Sequence, residues 1–250
     1  MPKFDTDNLE NHQLPTGAFG FSAVALDDLG ATEYTLVTIV VDTSSSVISF
    51  AFEMEKAISA VVNACKLSPR ADNLMIRFTT FNSQMNEEHG FKLLPNCNPD
   101  DYIGCLNCCG MTAVFDATEN AVSATNSYAK MLDADDYSVN GLIVVITDGC
   151  DNRSVETPNS VKKALTKSMK DEYLESLITI LIGVGTKGQS DVKQFLSDFN
   201  DEAGFTQYEE VENANPKTLA KLGGFISKSI SAQSLALGSG AMSQPISLKI

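Results

Sequence analysis

Three short polar motifs carry the residues best suited to chemistry. Asp42-Thr43-Ser44-Ser45-Ser46 is a D-x-S-x-S run directly after an apolar stretch, Gly110-Met111-Thr112 opens an amphipathic segment, and Thr147-Asp148-Gly149 closes a second apolar run. Asp42, Ser44, Ser46, Thr112 and Asp148 together offer two carboxylates and three hydroxyls, a hard oxygen set of the kind that suits Mg²⁺ or Mn²⁺. Such a cation wants about six oxygens, so this set leaves its shell short. A carboxylate from outside the chain would complete it and turn the metal into a bridge to a partner. Taken alone, the first motif reads equally well as a helix-capping cluster, because Ser and Asp favour that position. The weight lies in three motifs in order, each at a strand end or a helix start.

The elements that must position them follow from hydrophobic patterning. From residue 35 onward, short apolar runs alternate with longer amphipathic stretches, the rhythm of βαβ units and a mainly parallel sheet. Residues 35–41, rich in β-branched side chains, predict a central strand, and 74–81, 142–146, 177–184 and 205–209 predict others. Residues 90–94, ending at Pro95, predict a short edge strand. Helices are predicted over 50–64, 112–131, 158–173, 190–199 and 216–231. In a doubly wound sheet the ligand site lies beyond the carboxyl ends of the strands where their order reverses, and the three motifs fall there. Residues 1–33 lack a clear period and read as an N-terminal arm, 34–231 as one α/β domain, and 232–250, rich in Ser and Gly, as a flexible tail.

With these motifs in this order, the chain over about residues 34–231 resembles a von Willebrand factor type A domain, and the motifs resemble that family's metal-ion-dependent adhesion site. The resemblance implies a doubly wound, Rossmann-like, mostly parallel six-stranded sheet with helices on both faces, ordered 3-2-1-4-5-6 with an antiparallel edge strand. It implies Ser44, Ser46 and Thr112 as direct metal ligands, Asp42 and Asp148 as acidic members binding directly or through water, and Mg²⁺ or Mn²⁺ as the cofactor. It further implies a metal-dependent adaptor that binds an Asp or Glu of a partner protein. Intracellular bacterial and phage-like relatives point to a chaperone-type ATPase complex or a stress-response system as its setting. Catalysis is not expected.

Composition narrows the alternatives. Thirty-two Asp and Glu against eighteen Lys and Arg give 250 residues a net charge of −14, which repels phosphate backbones and argues against nucleic acid as a partner. The longest apolar runs fall well short of the ~18 residues that a membrane helix needs. The first residues lack the basic start and apolar core of a signal peptide, so a cytoplasmic location is expected. Cysteines at 97, 105, 108 and 109 include one C-x-x-C, but no second pair follows, and partly buried reduced thiols are a better reading than zinc. His89 is expected at the surface before the edge strand, and His12 in the arm.

Three rivals remain. Gly183-Val184-Gly185-Thr186-Lys187-Gly188 matches G-x-G-x-x-G, and Glu209 follows at the distance of a ribose-binding acid, as in a nucleotide-binding oxidoreductase. That fingerprint normally follows the first strand of its unit, whereas here it follows the fifth, where a tight glycine turn suffices. A phosphatase with Asp42 as nucleophile would want a second aspartate where Ser44 stands. The third rival is a structural or assembly component with a purely stabilising metal.

Overall fold

The computed structural model describes residues 4–14 and 20–248; residues 1–3 and 15–19 of the expected arm and 249–250 of the expected tail lie outside the described residues. In chain order the elements are β1 (Leu9–Gln13), β2 (Gly20–Val24), β3 (Glu33–Asp42), α1 (Ala51–Lys66), β4 (Leu74–Phe81), β5 (Met85–Leu93), α2 (Val114–Ala134), β6 (Ser138–Thr147), α3 (Pro158–Lys170), β7 (Ser176–Val184), α4 (Ser190–Ala203), β8 (Gln207–Val211) and α5 (Pro216–Ser239). β3 is buried from Tyr34 to Asp42, as a central strand covered on both faces must be. Its side chains alternate: Val37, Ile39 and Val41 enter the core under α1 and α5, while Leu36 and Val40 enter the cores of the opposite face. α1 turns Met54, Ile58, Val61 and Cys65 toward the first face, and α2 turns Ala117, Ala121 and Tyr128 toward the second.

One sheet runs in the order β1-β2-β5-β4-β3-β6-β7-β8. Its last six positions reproduce the 3-2-1-4-5-6 order, with β5 antiparallel to β4 and the others parallel. The expected six strands are therefore eight. The arm contributes an antiparallel hairpin, β1–β2, whose β2 meets β5 in parallel through the single pair Ala23↔Phe91. Gly90 lets the strands approach, since a Cβ there would lie 1.9 Å from the Ser22 carbonyl oxygen. Glu87 fills the rest of the seam: its carboxylate accepts from the Ser22 amide at 2.8 Å and hydroxyl at 2.7 Å, and pairs with the fully buried Arg77 at 2.6 Å.

Two other expectations are corrected. His89 is buried, not superficial; its Nε2 meets the Tyr102 hydroxyl at 2.7 Å, and its ring packs against Phe4 and Phe78. The last helix continues to Ser239, eight residues beyond its expected end, because Gln233, Ser234 and Ala236 still face the core. Past it, Ile246 and Leu248 are half-buried against the core, and their backbone bonds the side chains of Gln207 and Glu209 on β8.

Candidate metal centre

β3 and β6 lie side by side in parallel register, Val41 opposite Ile146, so their carboxyl ends deliver Asp42 and Asp148 to the same edge, at the point where the strand order reverses. Asp42 is 2% exposed. Its Oδ1 accepts the Ser44 amide at 2.7 Å, which curls the chain after the strand into a tight turn, and its Oδ2 accepts the Thr147 hydroxyl at 2.6 Å. The Ser44 and Ser46 hydroxyls are 3.0 Å apart, and Ser46 donates to Asp148 Oδ1 at 2.8 Å. A continuous chain of oxygens thus joins the motifs after β3 and β6.

The middle motif is brought in by backbone bonds. Cys109 N–H donates to the Thr43 carbonyl at 2.8 Å, and the Gly110 carbonyl accepts both the amide and the hydroxyl of Ser45 at 3.2 Å. Asn152 holds Thr112 from both sides: its Oδ1 accepts the Thr112 amide at 2.9 Å, and its own amide donates to the Thr112 carbonyl at 3.0 Å. The Thr112 hydroxyl consequently faces the Asp148 loop, 3.8 Å from where a Cβ on Gly149 would stand. Behind the loop, the buried Glu55 carboxylate accepts the amides of Gly104 and Leu106 at 2.7 and 2.9 Å. The structure therefore brings Asp42, Ser44, Ser46, Thr112 and Asp148 to one place.

Sequence reasoning missed Thr147, Asn152 and Glu55. Thr147 was visible in its motif but had no assigned role, and nothing local marks Asn152 or Glu55 as partners of segments 40 to 51 residues away in sequence. Cys97 and Cys105 are buried, Cys108 is half-buried and Cys109 exposed. Burial pushes the Cys108 thiol up to about 11, with the carboxylates of Asp42 and Glu55 adding to the rise.

The electrostatics fit a cation. Burial raises the Asp42 carboxyl above its ordinary range against the lowering effect of the Thr147 and Ser44 hydrogen bonds. Burial, with a further contribution from the Asp42 charge, raises Asp148 to about 6, although the Ser46 hydrogen bond opposes the rise. No Lys or Arg lies within ion-pair distance of either carboxylate among the described residues. Among those residues no group of three or more His, Cys, Asp or Glu forms a ligand set, so the donors here are hydroxyls plus two carboxylates, a hard set suited to a small divalent ion. A cleft of about 610 Å³ opens beside it, running from Ser46 and Asp148 past Phe50 to Lys187 and Glu212.

The G-x-G-x-x-G segment closes the far side of that cleft. Gly185 and Gly188 take φ of +73° and +75°, a left-handed backbone that glycine adopts without strain. The Gly185, Lys187 and Gln189 amides donate to Val211, Glu212 and Thr186 carbonyls at 2.8, 3.1 and 3.0 Å. Those donors are committed within the protein, where a dinucleotide site would aim them at a pyrophosphate.

This doubly wound fold with an oxygen-rich centre at its switch point belongs to the von Willebrand factor type A domain family, whose model matches residues 37–222. Such domains are generally protein-interaction modules, and they often bind a divalent metal. A point mutant of the PilB minor pilin from Streptococcus sanguinis is similar at 16% identity and a TM-score of 0.56, over 88% of this chain and 66% of that one. The pilus adhesin SpaC from Lactobacillus rhamnosus GG is similar at 10% and 0.58, over 86% and 32%. Proximal thread matrix protein 1 from the mussel byssus is similar at 18% and 0.54, over 80% and 47%. The chain spans between about a third and two thirds of those structures' lengths, and the likeness shows the fold. No curated protein matches in sequence. No helix among the described residues is long and apolar enough to cross a membrane.

Proposed function

We propose that this protein is a metal-dependent protein-binding module that takes an Asp or Glu of its partner at the centre formed by Asp42, Ser44, Ser46, Thr112 and Asp148. The observation that carries the reading is the pair of buried, facing carboxylates, bridged by serine hydroxyls and matched by no protein cation among the described residues, at the mouth of an open cleft. The three hydroxyls and two carboxylates would hold Mg²⁺ or Mn²⁺, which when bound supplies a positive centre for an incoming carboxylate. The open cleft favours this over a purely stabilising metal, which a closed shell would serve. Thr147 and the Ser44 amide orient Asp42, and Asn152 orients Thr112, so the oxygens are held in place before any ligand arrives. The reading assigns binding and no bond-making step.

The test combines calorimetry and nuclear magnetic resonance. Millimolar Mg²⁺ is expected to raise the melting temperature relative to EDTA, by about 2.7 kcal/mol of stability at a hundredfold excess over Kd, and Asp42→Ala is expected to abolish the rise. An acetylated Gly-Asp-Gly amide should then shift the amide resonances of Ser46 and Gly149 in Mg²⁺ and not in EDTA. Equal melting in both buffers, or peptide shifts indifferent to metal, would remove the proposal.

A further inference from the structure

The glycine-rich turn after β7 lines the cleft beside the metal centre. It is braced from behind: besides the bonds from Gly185 and Lys187 to the strand-β8 end, Thr186 is fully buried and donates to Glu210 at 3.0 Å, and Gln189 Nε2 donates to the Gly185 carbonyl at 2.9 Å. At its tip stands Lys187, exposed, on the wall of the cleft that begins at Ser46 and Asp148. The nearby Lys193 is taken by Glu210 and by Glu212 at 2.8 Å, whereas Lys187 has no carboxylate within ion-pair distance among the described residues. In a chain of net charge −14, a cation that makes no close ion pair of its own and reaches only the already paired Glu212 at longer range, held on a braced turn and sharing one cleft with the metal centre, is the feature that selects by charge.

We infer that Lys187 is a specificity-determining residue: the partner segment carries two acidic side chains, one entering the metal centre and a second, further along the chain, pairing with Lys187. This rests on the function proposed above and names the kind of segment it takes. The cleft volume of about 610 Å³ lies within the range of sites that bury a short ligand, and an extended segment covers about 3.3 Å per residue, so spacings of two to four positions, about 7–13 Å of chain, are the ones to test. Phe50, on the cleft wall, offers an apolar surface for the residues between them.

The experiment titrates acetylated, amidated peptides of the pattern Gly-Asp-(Gly)n-Glu-Gly, with n from one to three, against partners in which Gln replaces Glu, in Mg²⁺ and in EDTA, and reads amide shifts and Kd. In Mg²⁺ at low salt, one spacing is expected to bind about three- to fivefold tighter than its Gln partner, the yield of one exposed ion pair. That peptide should shift Lys187 and Gly188 as well as Gly149. Lys187→Met is expected to erase the preference and leave the metal-dependent binding of the Gln peptides unchanged, and rising salt should erode the preference in the parent. Metal-dependent binding with no preference at any spacing, or a preference that survives Lys187→Met, overturns the inference while leaving the binding function standing. Loss of metal-dependent binding by all the peptides overturns the function on which it rests, and the inference with it.

Discussion

Replacing Asp148 by Asn keeps an oxygen for the Ser46 hydroxyl, now 2.8 Å from Oδ1, and removes one of two facing charges. Burial and then the Asp42 charge hold the Asp148 carboxyl at about 6 against an ordinary 3.8. The folded, metal-free protein therefore keeps a proton that the unfolded chain releases between those values; the group favours the fold at low pH, and that advantage is lost as pH rises through the window. The full rise corresponds to about 3 kcal/mol of disfavoured charge, which solvent at the cleft mouth screens to roughly 1–2 kcal/mol. In EDTA at about pH 7.5 the Asn variant should thus melt about 3–6 °C above the parent, and at about pH 4 the two should nearly coincide. Other titrating groups are common to both proteins and cancel in the difference. In millimolar Mg²⁺ the order should reverse, because only the parent retains the complete site. Differential scanning calorimetry in these buffers decides the matter: a variant that melts no higher in EDTA, or whose advantage is equal at both pH values, refutes the idea that two uncompensated carboxylates strain the metal-free site.

Asn152→Ala removes the acceptor that holds the Thr112 amide, and should weaken Mg²⁺ binding roughly tenfold while costing the metal-free fold only about 1 kcal/mol. Isothermal titration calorimetry that returned the parental affinity would show that Thr112 is held by something else. Glu87→Ala strands the buried Arg77 charge and should cost about 3–5 kcal/mol in urea unfolding, whereas a loss near zero would contradict the bridge between β4, β5 and the hairpin. His89 is held neutral by burial, its value lowered to about 4 from 6.5, so stability is lost as pH falls from 6.5 through 4. His89→Gln should flatten that slope, as read from urea midpoints across the range, and an unchanged slope would place the acid sensitivity elsewhere.

The central strands were the most legible because burial on both faces leaves an unbroken apolar run: 74–81 coincides with β4, 177–184 lies one residue inside β7 and 35–41 lies within β3, whereas 142–146 covers only the second half of β6. The site motifs were legible for a related reason, since polar residues stopping such a run abruptly mark the carboxyl edge of a sheet. Half-exposed elements were harder. β1 shows only Leu9 and His12 partly buried among exposed polar residues, and β5 begins five residues early, at Met85, in a charged stretch whose burial depends on the hairpin. His89 looked superficial because its shield, Phe4 and Tyr102, comes from segments distant in sequence. Asn152 and Glu55 act on loops that only the tertiary fold places beside them.

The hairpin's attachment has a thermal consequence. With one backbone pair to β5, its docking relies on Phe21 and Val24 covering Phe91 and Tyr128, and on side-chain bonds such as that from the Tyr128 hydroxyl to the Val24 carbonyl at 2.8 Å. Association driven mainly by apolar burial weakens on cooling, whereas the ladder between β3, β4 and β6 is laced by backbone bonds along its whole length. The hairpin is thus expected to open at lower free energy than the central sheet, and hydrogen exchange on cooling should show its amides losing protection relative to those of β3 and β6. Cold would loosen this edge while the cleft end of the sheet keeps its shape.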